Sequence, residues 1–195
     1  MGGIHLCGKR NHQKSKSIIP SAIFEENVKE SVIMSTKIGL ENSELKMREW
    51  DFEEDQEDVI KLLDIVFEKE LESKGLNVKA IFDEFKSIRP LMNFLGIFSK
   101  NYRHGFDGFV FENEDGEIVA SVNIGYSLYY WEVAMVATHP DYRRRGLARQ
   151  LVTTAINHAK ELGAQLCVLE VLEENEPAYK LYRSLGFVHY DSITR

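Results

Sequence analysis

The sequence is poor in several features that define large classes of proteins. Among its 195 residues there are two cysteines, Cys7 and Cys167, which lie far apart in unlike surroundings and indicate neither a disulfide framework nor a metal site. No apolar run approaches the roughly 18 residues that span a bilayer, and the N-terminal stretch lacks the apolar segment of a secretory signal. We therefore expect a protein of the reducing cytosol, with no bound metal and no membrane partner.

The chain also lacks an excess of positive charge. Lysine and arginine number 24 against 31 aspartates and glutamates, which gives a net charge of −7. This balance opposes extended contact with nucleic acid, so we expect no nucleic-acid partner. Apolar residues make up 44% of the chain, which is enough for one packed core.

The pattern of polar and apolar residues divides the chain into two parts. Residues 1–44 are polar, begin with basic residues and show no sustained period, which predicts a poorly ordered N-terminal arm. Residues 45–195 alternate between periods of two and of about 3.6. They predict a strand, two helices, three strands, a helix, a strand, a helix and a strand, which is an α/β domain.

Local signals set several expected boundaries within this domain. Asp115-Gly116 between two β-rich runs predicts a hairpin, and Pro90 predicts a helix that ends near Ser87 or a kinked pair of helices. Gly163 and Asn175 are typical of a helix C-cap and N-cap. The nearly continuous apolar run "QLCVLEVL" predicts a strand buried on both faces of the sheet.

One junction between a strand and a helix concentrates positive charge, in the stretch "VATHPDYRRRGLARQL". Unpaired main-chain N–H groups at the start of a helix attract anions, and the small Gly146 and Ala148 would let a ligand approach the backbone. The stretch has neither a Walker loop nor a Gly-x-Gly-x-x-Gly turn. It indicates a ligand that carries phosphate, and the alternative is a solvated basic turn.

Two stretches carry a resemblance to the GNAT superfamily of N-acetyltransferases. Motif A of that family, with its signature Arg/Gln-x-x-Gly-x-Gly/Ala, resembles "AMVATHPDYRRRGLARQL", and motif B resembles "LEVLEENEPAYKLYRSLGF". The resemblance covers roughly residues 45–190 and is greatest to the ribosomal-protein alanine acetyltransferase type. It implies a GNAT fold, which is a mixed central sheet with helices on both faces.

The resemblance also implies a strand that is missing from the end of the chain. Family members usually have a seventh strand, beyond the Gly-Phe strand and inserted beside the fifth, whereas this sequence stops at Arg195. Either the chain is truncated, or another segment or a second subunit, as in a homodimer, supplies that strand.

The resemblance further implies acetyl-CoA as the co-substrate. The main chain at Val136, Ala137 and Thr138 would pair with the pantetheine arm, and Asn175 would hydrogen-bond it. The pyrophosphate would lie in a cradle of seven consecutive residues: Arg143, Arg144, Arg145, Gly146, Leu147, Ala148 and Arg149.

Three residues are candidates for the proton transfers of the reaction. A carboxylate can take a proton from the attacking amine; Glu170 and Glu132 match bases used in different branches of the family, and Glu170 is favoured because it interrupts an apolar strand. Tyr182, at the Leu-Tyr position of motif B, would donate a proton to the departing thiolate, and its neighbour Tyr179 serves as a comparison. Cys167 is expected to be a small buried hydrophobe rather than a nucleophile.

The expected activity is transfer of an acetyl group from acetyl-CoA to a primary amine in a ternary complex. The acceptor would be a small-molecule amine or a protein N-terminus. The alternative is a non-catalytic acyl-CoA-binding regulatory module that uses the same cradle without turnover.

Overall fold

The computed structural model describes residues 14–20, 44–75, 77–95, 104, 107–127 and 130–194. Seven strands, four α-helices and one short 3-10 helix, Pro140–Tyr142, occur in this part of the chain. The strands and α-helices are, in order, β1 (Lys14–Pro20), β2 (Lys46–Glu49), α1 (Gln56–Lys74), α2 (Val78–Leu95), β3 (Asp107–Glu112), β4 (Ile118–Ser127), β5 (Tyr130–Thr138), α3 (Leu147–Glu161), β6 (Cys167–Leu172), α4 (Glu176–Ser184) and β7 (Phe187–Thr194). None of the described helices is long and apolar enough to cross a bilayer.

The strands form one mixed sheet in the order β2-β3-β4-β5-β6-β1-β7. Strand β6 runs parallel to β5, and the other neighbours are antiparallel. The β3–β4 connection is the predicted hairpin, with Gly116 at φ 80°. From β2 onward the element order is the predicted one, which confirms the expected mixed sheet.

Strand β1 was not predicted, and it occupies the position expected for the missing strand. It lies between β6 and β7 and is antiparallel to both. The prediction of a poorly ordered arm therefore does not hold for these seven residues, and the other residues of positions 1–43 lie outside the described part. Of the alternatives for the missing strand, the structure has the one in which another segment of the chain supplies it.

The helices cover the two faces of the sheet and enclose two groups of buried side chains. Helices α3 and α4 pack on one face, where Leu151, Trp131, Leu169 and Tyr182 are buried together. Helices α1 and α2 pack on the opposite face, around side chains that include Phe82. These layers agree with the expected helices on both faces.

Two local predictions were wrong: that the helix before Pro90 ends near Ser87, and that the strand in "QLCVLEVL" is buried on both faces. Helix α2 continues through Pro90 to Leu95; Pro90 is exposed, so its missing N–H removes one helical hydrogen bond while its ring meets solvent rather than the core. Strand β6 is buried on one face only, because Cys167, Leu169 and Val171 are buried while Glu170 between them is exposed.

A partly buried ionic network ties β2, β3 and the start of α1 together. Arg48 donates to both carboxylate oxygens of Asp55 at 2.6 and 2.8 Å and to Glu112 at 2.6 Å. Burial alone would raise the pKa of Asp55, but hydrogen bonds from Arg48 and the Asp51 N–H, together with the positive charge, lower it below its ordinary value. Asp55 is thus held ionised at the N-cap of α1.

Candidate active site

The site is built on a gap between two neighbouring parallel strands. Strands β5 and β6 pair at two positions, Trp131 with Cys167 and Glu132 with Val168. Strand β5 then continues to Thr138 and β6 to Leu172 without further pairing to each other. Main-chain groups along this diverging edge are thus available to a ligand that lies between the strands.

A bulge in β5 lies within this edge. The β4–β5 register shifts between Ser121 and Asn123, and Met135 has φ 51°, a conformation that side chains other than glycine rarely adopt. The Ser121 hydroxyl donates to the Met135 carbonyl at 3.1 Å, which holds the bulge in place. Bulges redirect the backbone that follows them, which here is the predicted pantetheine-binding segment of Val136, Ala137 and Thr138.

The loop between β5 and α3 needs two left-handed residues. Arg144 has φ 66° and Gly146, the N-cap of α3, has φ 77°. Only glycine adopts this conformation without steric cost, which explains Gly146 at the turn.

The N-terminus of α3 differs from those of the other described helices. It has no side-chain cap and no acidic residue in its first turn. In contrast, α4 is capped by Asn175, α2 by Asn77, and α1 has Glu57 and Asp58 in its first turn. Among the four described α-helices, α3 is therefore the one whose N-terminal partial positive charge is not offset by a capping side chain or an acidic residue of its first turn.

The arginines of this loop have different partners. Arg143 donates from Nε to the Thr138 carbonyl at 3.2 Å, so it braces the loop, and the Arg145 guanidinium lies 4.9 Å from the centre of the Tyr142 ring. Arg149 donates to the Ser184 hydroxyl at 2.7 Å and so joins α3 to α4. Arg143, Arg144 and Arg145 are exposed, so their positive charges face solvent beside the helix end.

Two polar atoms beside the loop are buried without a hydrogen-bond partner in the described structure. They are the Thr138 hydroxyl at the end of β5 and the Gln150 side-chain nitrogen in the first turns of α3. Unpaired buried polar atoms are costly, and these two lie at the end of β5 and in the first turn of α3, next to the predicted cradle. Thr138 was among the predicted site residues. Gln150 was not predicted, because the only feature of the sequence that pointed to it was its position one helical turn after Gly146.

Asn175 has the predicted position at the start of α4. Its side-chain oxygen accepts a hydrogen bond from the Ala178 N–H at 3.2 Å. The side-chain NH₂ is therefore the group that Asn175 can offer to a ligand as a donor. Leu147 is buried beneath the helix start, so within the cradle it contributes its main chain rather than its side chain.

Tyr182 lies on α4 and is 6% exposed. Burial raises the pKa of its phenol to about 12, so the hydroxyl keeps its proton at neutral pH. The ring packs edge-on against Phe187 at 6.1 Å, which fixes its position. The phenol thus carries at neutral pH the proton that a general acid must have to donate.

The two candidate glutamates lie on the sheet face opposite α3 and α4. Glu132 is half-buried beside Val168, and Glu170 follows Val168 by two residues on the same strand. Because alternate residues of a strand share a face, both carboxylates are on one face. The reason for favouring Glu170, that it interrupts a buried run, was wrong, since Glu170 is exposed.

Cys167 has the expected environment. Its side chain is fully buried, and burial raises the pKa of the thiol to about 11, so at neutral pH it is not a thiolate. Near the other end of α3, His104 and His158 both contact Asp107; this cluster was not predicted, because His158 is 51 residues from Asp107 in sequence.

Comparison with known proteins identifies the family. The sequence model of the Acetyltransferase (GNAT) family matches residues 78–187, which include β5, the loop, α3, β6 and α4. This chain belongs to the GNAT family. It is 30% identical over 95 residues to an acetyltransferase of Pectobacterium atrosepticum, a match that covers 49% of this chain and 67% of that one.

A second curated relative of the GNAT chain is a mycothiol acetyltransferase of Thermobifida fusca, with 43% identity over 61 residues. That match covers 31% of this chain and 19% of the relative, so the chain spans about a fifth of that protein.

Solved structures share the GNAT fold. A GCN5-related N-acetyltransferase of Sphaerobacter thermophilus matches with a TM-score of 0.61 and 15% identity, over 95% of this chain and 51% of that one. The ribosomal-protein-S18-alanine N-acetyltransferase of Escherichia coli matches with a TM-score of 0.54 and 20% identity, over 75% of this chain and 79% of that one. The family model and the shared fold thus agree on the GNAT family.

Proposed function

We propose that this protein transfers an acetyl group from acetyl-CoA to a primary amine by direct attack in a ternary complex. The observation that carries the proposal is the N-terminus of α3. It lacks a cap and an acid, begins at a left-handed glycine and adjoins three exposed arginines. This arrangement suits a pyrophosphate.

In this proposal the cofactor extends from the cradle into the gap between β5 and β6. The N–H groups of the first turn, Gly146 to Arg149, would bind the pyrophosphate, and the neighbouring arginines would add charge. The main chain from Val136 to Thr138 would bind the pantetheine arm on one side and Asn175 on the other. The unpaired Thr138 and Gln150 atoms lie at the same end of the sheet, beside the cradle. Acetyl-CoA supplies the acetyl thioester, and the residues of the chain orient it.

The amine must lose a proton before or during its attack. For a lysine-type amine with a pKa near 10.4, deprotonation at pH 7 costs about 4–5 kcal/mol, whereas for an α-amino group near 8 it costs about 1–1.5 kcal/mol. A carboxylate that accepts the proton lowers this cost. We propose Glu170 for this role, because it lies beyond the last β5–β6 pair, where an acceptor can reach it, and Glu132 as the alternative.

The departing sulfur must gain a proton. Tyr182 lies on the α3–α4 face and the glutamates on the other, so the gap between β5 and β6 is the place where groups from both faces can meet. In this proposal the nitrogen–carbon bond forms as the carbon–sulfur bond breaks, the amine proton passes to Glu170, and the Tyr182 hydroxyl protonates the thiolate. The acceptor would be a small-molecule amine or a protein N-terminus.

The experiment that tests this function is thiol release from acetyl-CoA in the presence of a panel of amines. The panel would include polyamines, aminoglycosides and peptides with free N-termini, with mass spectrometry of the acetylated product. Turnover with one class above the rate of hydrolysis is the expected result. If coenzyme A binds and no amine is acetylated, the alternative of a non-catalytic acyl-CoA-binding module gains support.

A further inference from the structure

A cluster of two histidines and one aspartate lies outside the proposed active site. His104 Nδ1 is 2.7 Å from Asp107 Oδ2, and His158 Nε2 is 2.6 Å from the same oxygen. One ligand atom from each of the three side chains lies within 4.8 Å of the others. All three side chains are between 23% and 29% exposed, so a solvated ion can reach them.

The cluster is well separated from the cradle. His158 is twelve residues along α3 from Gly146, which at 1.5 Å per residue is about 18 Å. The aromatic rings of Trp131 and Phe109 lie beside the two histidines, at 6.5 Å from His104 and 5.5 Å from His158. The rings of Trp131 and Phe109 form an apolar side of the cluster.

We propose that His104, Asp107 and His158 bind a divalent transition-metal ion of the Zn²⁺ class. Imidazole nitrogen with one carboxylate oxygen is a donor set that suits Zn²⁺, Co²⁺ or Ni²⁺, whereas Mg²⁺ and Ca²⁺ prefer oxygen alone. Three protein ligands leave a position for water. Without a metal, His104 Nδ1 and His158 Nε2 can each donate an N–H to Asp107. When the metal binds, the proton of each imidazole would lie on the opposite ring nitrogen, His104 Nε2 and His158 Nδ1, so that His104 Nδ1 and His158 Nε2 can bind the metal.

The ion would have a structural role. Two of its ligands lie at or just before the start of β3, three residues apart, and the third lies in the last turn of α3, so one ion would link the start of β3 to the end of α3. Because the cradle at Gly146 is about 18 Å away and none of the three ligands is a proposed active-site residue, metal binding is expected to stabilise the fold without joining the acetyl transfer.

The test uses the full chain, stripped with chelator and titrated with Zn²⁺ and with Co²⁺. We expect one equivalent to bind, a visible Co²⁺ spectrum and a higher melting temperature. His158→Gln should lower the Zn²⁺ affinity by about tenfold or more, since loss of even an outer partner of a metal ligand costs about 10- to 100-fold. His189→Gln, which changes an exposed histidine on β7, is the matched control and should leave the affinity unchanged.

A second measurement does not depend on any variant. X-ray absorption at the zinc edge of the wild-type protein should show two imidazoles with oxygen ligands and no sulfur. Sulfur in the coordination shell would assign the ion to a cysteine and overturn the proposal. Equal Zn²⁺ affinity in His158→Gln and wild type, or no binding to the wild type, would also overturn it and leave a hydrogen-bonded cluster only.

Discussion

Glu132 of β5 and Glu170 of β6 lie on the same face of the sheet, on either side of the point where the two strands stop pairing. Glu132 is opposite Val168 in the last pair, and Glu170 is two residues beyond it. Strand β1 borders the far side of β6, with Ser17 opposite Glu170. The strand that the sequence did not predict thus forms one boundary of the proposed acceptor site.

The first prediction concerns the base. Glu170→Gln should lower kcat/KM at pH 7 by about 100-fold or more, because proton transfer by a positioned side chain contributes about 10²- to 10⁴-fold. The loss should shrink as the pH rises towards the pKa of the acceptor amine, since the amine then deprotonates without help. The measurement is a pH–rate profile from 6 to 10.

Glu132→Gln is the matched control for this prediction, since it changes the other carboxylate of the same face. A larger decrease in kcat/KM for Glu132→Gln than for Glu170→Gln would identify Glu132 as the general base. A loss independent of pH in both variants would contradict a role as base for either residue.

The second prediction concerns Tyr182. Tyr182→Phe removes the hydroxyl and keeps the ring that packs on Phe187, so the fold and the Kd for acetyl-CoA should be nearly unchanged while kcat falls by about 100-fold. Steady-state kinetics would measure kcat, and equilibrium binding would measure the Kd for acetyl-CoA. Tyr179→Phe, a half-buried tyrosine of the same helix, should retain turnover, and an unaltered kcat in Tyr182→Phe would exclude its hydroxyl as the acid.

The third prediction concerns stability and pH. Asp55 has a lowered pKa in the folded protein, so its contribution to stability is complete above the unfolded pKa of about 3.9 and is lost as the pH falls through the folded value. Asp55→Asn should therefore lower the free energy of unfolding by about 2–3 kcal/mol at pH 7. The difference in this free energy between variant and wild type should become smaller below about pH 4.

Urea unfolding at several pH values measures this effect. Asp58→Asn is the control, because its ion pair with Lys61 is exposed, with side chains 48% and 69% accessible, and such pairs contribute little. A difference for Asp55→Asn that is the same at pH 3 and pH 7 would contradict the assigned role of the ionised carboxylate.

The fourth prediction concerns β1. Deletion of residues 2–20 removes β1 and leaves the facing edges of β6 and β7 unpaired, whereas deletion of 2–12 keeps β1. The longer deletion should lower the melting temperature by several degrees, at about 2–4 °C per kcal/mol for a domain of this size. A peptide of residues 12–22 should restore part of the loss, and equal melting of both deletions would show that β1 does not stabilise the sheet.

The parts of the fold that depend on local pattern were predictable. The hairpin at Gly116, the left-handed glycine after α3 at Gly163 and the cap at Asn175 each follow from residues adjacent in sequence. Strand β1 was not predictable, because its pairing partners are distant and its own residues show no period. The extent of α2 was missed because local propensity at Pro90 is overridden by the turns on either side.

The candidate site divides in the same way. The cradle follows from a strand, a glycine and a helix that are contiguous, and Tyr182 and Asn175 follow from one motif. Other features depend on how distant strands and helices pack, which no local pattern encodes. They are the exposure of Glu170, the bulge at Met135 and the unpaired side-chain nitrogen of Gln150. The His104–Asp107–His158 cluster depends on the same long-range packing.

The central claim is that the N-terminus of α3 binds acetyl-CoA by its pyrophosphate, and calorimetric titration with acetyl-CoA tests it most directly. We expect one saturable site in the wild type and at least about tenfold weaker binding in Gly146→Ala, which puts a Cβ at a left-handed residue of the cradle, at an intrinsic cost of about 1–2 kcal/mol. Gly163→Ala has the same kind of strain at the other end of α3, where φ is 92°, and should bind as the wild type does. Absence of binding by folded wild-type protein, or equal binding by Gly146→Ala, would contradict the claim.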